Sequence, residues 1–187
     1  GTPAPKGRAW RKAMFDSIGP LVTKDQTAAV EAMGKMYPYI DLNRVAVWGW
    51  SGGGSSTLNL LFRSPDVFHV GMAVAPVVDQ RLYDTIYQER YMGLPQDNPK
   101  GYEEGSPINF AQGLRGKLLL VHGSGDDNVH FANSQLLIDR LIELEKRFDF
   151  MQYPNRTHAI MEGKGTRLHL FSLLARFLKE HLPAGPA

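Results

Sequence analysis

Apolar residues along this chain fall into two alternating kinds of pattern. Short, almost unbroken apolar runs occur at 44–48 (RVAVW), 70–77 (VGMAVAPV), 116–123 (GKLLLVHG) and 148–154 (FDFMQYP). Longer stretches with apolar residues at helical spacing separate them: 23–36, 55–65, 79–93, 133–147 and 166–182. Continuous runs bounded by turn residues predict buried strands, and the three-to-four spacing predicts amphipathic helices. Asp41 to Asn43 read as a turn before the first strand, Pro65 stops the second helix, and Gly93 closes the third. Residues 94–113 are crowded with Gly, Pro, Asn and Asp and predict a surface excursion. Residues 1–20 read as an irregular entry segment and 183–187 as a tail.

Strands alternating with helices, each strand apolar on both faces, predict an α/β fold: a parallel sheet covered by helices on both faces. The length of 187 residues suits a single domain, 1–187. The count of strands is small, however. The run at 44–48 would form an apolar edge, which proteins normally cover. Further strands ahead of residue 1 are therefore expected, pairing beside it. The chain does not start with Met, and its first residues, GTPAPKGRAWRK, lack the apolar core of a signal peptide. It reads as a piece of a longer chain.

Composition narrows the function. The net charge of +2 points to neither nucleic acid nor an anionic membrane surface. Cysteine is absent, which excludes disulfides and thiolate chemistry. No apolar run approaches the roughly 18–20 residues of a membrane span.

The stretch 47–54, VWGWSGGG, carries the first candidate chemistry. Gly49-x-Ser51-x-Gly53 lies between a predicted strand and a predicted helix, the context a nucleophile elbow requires. Such a turn strains the serine backbone and exposes its hydroxyl near a helix N-terminus, where developing negative charge is favoured. By itself the stretch also suits a plain glycine-rich turn or a phosphate-binding loop. A serine hydroxyl needs a base, and in this architecture the order is serine, acid, histidine. Asp126 and Asp127 follow the third strand and His158 follows the fourth, so order and position both fit. An acidic pair in a loop is equally a solvated turn or helix cap, and His158 alone is equally an exposed loop residue. His122 is expected to make a structural hydrogen bond. His69, His130, His169 and His181 are poorly placed as bases, and no pair has metal-binding spacing. No cofactor is called for.

Four segments, VWGWSGGG, VAPVVDQRLYDTIYQERYMGLP, VHGSGDDNVHF and YPNRTHAI, resemble the C-terminal part of the catalytic domain in the dipeptidyl peptidase IV branch of the prolyl oligopeptidase family. The resemblance implies an α/β-hydrolase fold with its N-terminal strands missing here, and a serine peptidase releasing N-terminal dipeptides, Xaa-Pro or Xaa-Ala. It implies Ser51 as nucleophile, Asp126 rather than Asp127 as acid, and His158 as base. The Gly52 N–H would supply half of the oxyanion hole. Tyr83, Tyr87, Val77 and Val129 would wall the pocket for the residue before the scissile bond, and Asn128 would bind a substrate carbonyl. Tyr83 and Tyr87, four apart, would share a helix face, and flat aromatic walls suit a proline ring.

Gly52 and Gln80 stand where animal members carry Tyr and Trp, which fits a bacterial-type member with a wider pocket. The resemblance also implies an N-terminal propeller that holds the substrate amino terminus, an upstream tyrosine completing the oxyanion hole, a periplasmic or secreted location, and room for a homodimer. Loss of one oxyanion donor costs about 10²–10³ in rate, so residues 1–187 alone are expected to be weakly active or inactive. An esterase or acylaminoacyl peptidase would use the same triad. A silent fragment acting as an interaction module through its edge strand is the reading from a different class.

Overall fold

The computed structural model describes residues 6–182. Four strands form one parallel sheet in the order β1-β2-β3-β4: β1 Ala46–Trp50, β2 Val70–Val74, β3 Lys117–Gly123 and β4 Asp149–Tyr153. A helix crosses over after each of the first three strands. The helices that matter most to the site are α3 (Gly52–Arg63), α4 (Thr85–Met92), α6 (Ala132–Glu143) and α7 (Thr166–His181). The shorter α1 (Gly7–Arg11) and α5 (Pro99–Gly105), and the long α2 (Pro20–Met36), complete the set.

Strand alternation explains why the apolar runs are continuous. Val47, Ala73, Leu118 and Leu120 face one core with Leu58, Leu61 and Leu137 of α3 and α6. Ala46, Met72, Val74, Leu119 and Val121 face a second core with Leu170, Leu174 and Phe177 of α7. Successive residues point to opposite faces, so a strand with helices on both sides has no polar face. This is the parallel α/β sheet with helices on both faces that the sequence predicts.

Several boundaries differ from expectation. The first strand starts at Ala46 and runs to Trp50, two residues later than predicted at each end. Asp41 takes up the preceding chain in a turn, accepting from the Asn43 and Arg44 N–H groups. The strand then continues through Gly49 because the sharp turn falls at Ser51 itself. The second strand ends at Val74, earlier than predicted, because Ala75 has φ 45°. Beyond it, side chains replace ladder partners: Ser55 Oγ accepts from the Val77 N–H and Asn133 Oδ1 from the Val78 N–H. The helix predicted from Thr23 begins at Pro20, behind Gly19 at φ 111°.

Two loop assignments are corrected. Residues 94–113 are not a surface excursion. They hold α5 and a 3-10 helix, Pro107–Gly113, with Tyr102, Ser106, Pro107 and Ala111 buried. Their Pro and Asn residues are helix starts: Asn98 caps α5 and Pro99 and Pro107 occupy first turns. Within the entry segment, α1 and a following 3-10 turn, Lys12–Met14, are helical. Residues 1–5 of that segment and the 183–187 tail lie outside the described residues.

Candidate active site

Ser51 joins β1 to α3 with φ 58° and ψ −123°, a conformation L residues rarely adopt. Two backbone bonds hold it there, and the Ser55 hydroxyl adds a third, donating to the Ser51 carbonyl at 3.3 Å. Its N–H donates to the Val74 carbonyl (2.8 Å), and its carbonyl accepts from the Ser55 N–H (3.0 Å). Two glycines make the turn passable. A Cβ on Gly49 would lie 2.2 Å from the Gly53 carbonyl oxygen, and one on Gly54 would lie 2.7 Å from the Val74 carbonyl oxygen. Side chains at Gly52 and Gly53 would meet open space. The steric need therefore falls on Gly49 and Gly54, not on the second glycine of the five-residue pattern. Among the described residues the Ser51 hydroxyl has no hydrogen-bond partner. Gly52 opens α3, so its N–H has no intrahelical acceptor.

Asp126 follows β3, and its carboxylate is fully covered. Oδ1 accepts from the N–H groups of Asn128 and Val129, both at 2.9 Å. Oδ2 lies 2.8 Å from His158 Nδ1 and 3.1 Å from His122 Nε2. Burial pushes this carboxyl up. The hydrogen bonds from His122 and His158, then those of the backbone and the charge of His158, outweigh burial and hold it well below the usual carboxylate range. Asp127, its neighbour, is exposed.

His158 lies in the loop after β4, with its side chain 21% exposed. Its carbonyl accepts from the indole Nε1 of Trp50 at 2.9 Å, which ties this loop to the residue before Ser51. The structure thus places the serine elbow, the buried acid and the histidine after β1, β3 and β4, at the C-terminal edge of one parallel sheet. With Nδ1 bonded to the carboxylate, His158 presents Nε2 as its free nitrogen. The remaining histidines are otherwise engaged: His69 Nδ1 accepts from the Val45 N–H and His130 Nδ1 from the Ala132 N–H. His169 bonds Tyr153 and His181 packs on Phe177.

A cavity of about 300 Å³ opens beside Ser51 and Gly52, with Val77, Tyr83 and Tyr87 in its wall. Tyr83 and Tyr87 do not share a helix as expected. Tyr83 is extended after a 3-10 turn, Gln80–Leu82, and α4 starts only at Thr85, capped by Asp84. Their rings still meet edge to face, 5.6 Å apart. Burial, and then Asp84, push the Tyr83 phenol up, so it stays a donor; it donates to Asn128 Oδ1 at 2.8 Å. That leaves the Asn128 amide N–H₂ to donate. Val129, expected in the pocket wall, is instead fully buried and is not part of the cavity lining.

Sequence reasoning missed Met14 and Ile18, which reach the cavity from the entry segment without any local pattern to signal it. It placed Gln80 near the pocket, but missed Gln88 and Asn59, which join it in a polar floor. Gln80 and Gln88 are buried there and bonded to each other, and Asn59 Oδ1 is buried with no partner among the described residues.

A parallel sheet with a strained serine at the turn into a helix, and a bonded acid–histidine pair in the loops after its third and fourth strands, has the layout of an α/β hydrolase. Residues 3–185 match the prolyl oligopeptidase family, and the chain belongs to that family. It is 44% identical over 157 residues to a probable dipeptidyl-aminopeptidase B of Uncinocarpus reesii, across 82% of this chain and 17% of the relative. A relative of the same description from Metarhizium robertsii is 45% identical over the same length and shares. The crystal structure of Porphyromonas gingivalis dipeptidyl peptidase 4 superposes with a TM-score of 0.90 at 43% identity, covering 94% of this chain and 25% of that one. A putative dipeptidyl aminopeptidase IV from Bacteroides ovatus has the same TM-score at 35% identity, covering 96% of this chain and 25% of that chain. The chain therefore spans about a sixth of the length of the curated relatives it matches.

Proposed function

We propose that this chain carries the catalytic triad of a dipeptidyl peptidase, with Ser51 as nucleophile, His158 as base and Asp126 as acid. The observation that carries the reading is the 2.8 Å bond from His158 Nδ1 to a covered Asp126, with the His158 loop tied by the Trp50–His158 bond to the residue before Ser51, whose backbone is strained. Ser51 Oγ attacks the scissile carbonyl while His158 Nε2 takes its proton. The Gly52 N–H bonds the developing oxyanion. His158 then protonates the leaving amine, and the acylated Ser51 is released by a water that His158 activates. Asp126 keeps the imidazole in the Nδ1–H tautomer and stabilises the imidazolium.

Val77, Tyr83 and Tyr87 take the side chain before the scissile bond, and the free Asn128 amide N–H₂ donates to a substrate carbonyl. The aromatic walls and the dipeptidyl-aminopeptidase relatives favour Xaa-Pro and Xaa-Ala peptides. The substrate amino terminus is held by a part of the protein outside residues 1–187.

The test is labelling of the intact protein with a fluorophosphonate, followed by turnover of free and N-acetylated Xaa-Pro and Xaa-Ala amides. Labelling should vanish in Ser51→Ala, and N-acetylation should abolish turnover. Labelling that survives in Ser51→Ala overturns the nucleophile. Equal turnover of acetylated substrates overturns dipeptide release in favour of an acylaminoacyl peptidase or esterase.

A further inference from the structure

The strand that leads into the acid loop holds a second histidine that the scheme above leaves unused. His122, on β3, has no solvent exposure and cannot meet substrate. Its Nε2 lies 2.9 Å from the Val129 carbonyl oxygen and 3.1 Å from Asp126 Oδ2. Its Nδ1 lies 2.6 Å from Ser134 Oγ on α6. A backbone carbonyl only accepts, so Nε2 carries a proton and shares it between that carbonyl and the carboxylate. The Phe131 ring stands edge to face against the imidazole, 5.4 Å away, and fixes its plane.

We propose that His122 is a positioning residue for the triad acid, with Ser134 setting its orientation. This rests on the triad reading above. The two backbone N–H groups fix only Oδ1 of Asp126. Oδ2 is fixed by His122, which sets the torsion of the carboxylate and so the direction from which it meets His158 Nδ1. The same bond offsets negative charge on Oδ2. The proton between Asp126 and His158 therefore stays on the histidine when the imidazolium forms. By also holding the Val129 carbonyl, His122 ties the whole 126–129 loop, including Asn128, to β3.

Two substitutions separate positioning from mere packing. In His122→Gln the side-chain N–H₂ can reach the place of Nε2, towards Asp126. In His122→Asn it reaches only the place of Nδ1, towards Ser134. In the intact protein His122→Gln should keep kcat within about threefold. His122→Asn should lose about 10- to 100-fold in kcat with KM nearly unchanged, the scale of a misplaced catalytic group. The low-field proton resonance of the His158 Nδ1–H bond should move in His122→Asn and stay in place in His122→Gln. Equal losses in both variants, losses that track melting temperature, or an unmoved resonance would overturn the proposal.

If His122→Asn does not fold, Ser134→Ala serves instead: a kcat loss of about threefold or more at constant KM supports the proposal, and none overturns it. Fluorophosphonate labelling of the unmodified protein distinguishes the two levels. Without Ser51 labelling the triad reading fails and this inference falls with it. With labelling and equal variant rates, only the inference falls.

Discussion

Asp126 accepts hydrogen bonds from two histidine side chains and two backbone N–H groups, and its ionisation follows from them. Its folded pKa lies below its unfolded value, so its stabilising contribution is complete above the ordinary carboxylate range and is lost as pH falls through it. Asp126→Asn should therefore narrow its stability gap to the unmodified protein as pH falls from about 5 to about 2; melting temperature against pH checks this. The acid limb of kcat/KM then belongs to a group other than Asp126, and at neutral pH the same variant should lose about 10³–10⁴ in kcat. Gly52 is a second residue with a definite expectation. A Cβ there meets nothing within 4 Å and the position borders the cavity, so Gly52→Tyr should fold with little change in melting temperature. It should lower kcat/KM for bulky residues before the scissile bond more than for alanine or proline, which a substrate series measures.

At the scale of elements, the elbow depends on the close backbone approach of α3 to both β1 and β2. Gly49→Ala forces a methyl group onto the Gly53 carbonyl, and Gly54→Ala onto that of Val74. Each should destabilise the catalytic domain by more than about 2 kcal/mol and disorder Ser51. Gly53→Ala, in the first turn of α3 with open space around it, should be neutral or stabilise by up to about 1 kcal/mol. Thermal melts of the three variants test this ordering. The tyrosine segment teaches a related lesson. Its helical spacing is real over Tyr87 and Tyr91, whose rings are 4.9 Å apart. Asp79 and Asp84 each accept from the backbone N–H of a following residue, Arg81 and Tyr87. These local caps break the predicted helix in two. Tyr83 meets Tyr87 across the break because both border one cavity.

For the whole molecule, the governing feature is β1 at the end of the described sheet, with Trp48 53% exposed on it beside Phe171. We propose that this edge is paired in the intact protein by strands outside residues 1–187. Residues 1–187 alone should then turn over an Xaa-Pro amide at least about 10²-fold more slowly than the intact protein, for want of a second oxyanion donor. Equal rates from both would refute this.

Much of this was legible from one sequence because it depends on local rules. Two-sided apolar runs dictate buried parallel strands, and the order of Ser51, Asp126 and His158 follows the ends of those strands. Only the tertiary structure decided what depends on distant neighbours. Residue types and spacing leave Asp126 and Asp127 alike, and the sequence separates them only through the family resemblance. The physical distinction is tertiary, in the bonds that Asp126 accepts from two histidines and from the Asn128 and Val129 N–H groups. The Trp50–His158 bond spans 108 positions, and the packing of Met14 and Ile18 against the cavity joins segments with no shared pattern. The 94–113 stretch was misread because Pro and Asn start helices as readily as they make turns, and burial selects between the two. In the elbow, sequence shows four glycines, but only the approach of the Gly53 and Val74 carbonyls reveals that Gly49 and Gly54 are the two that must lack a side chain.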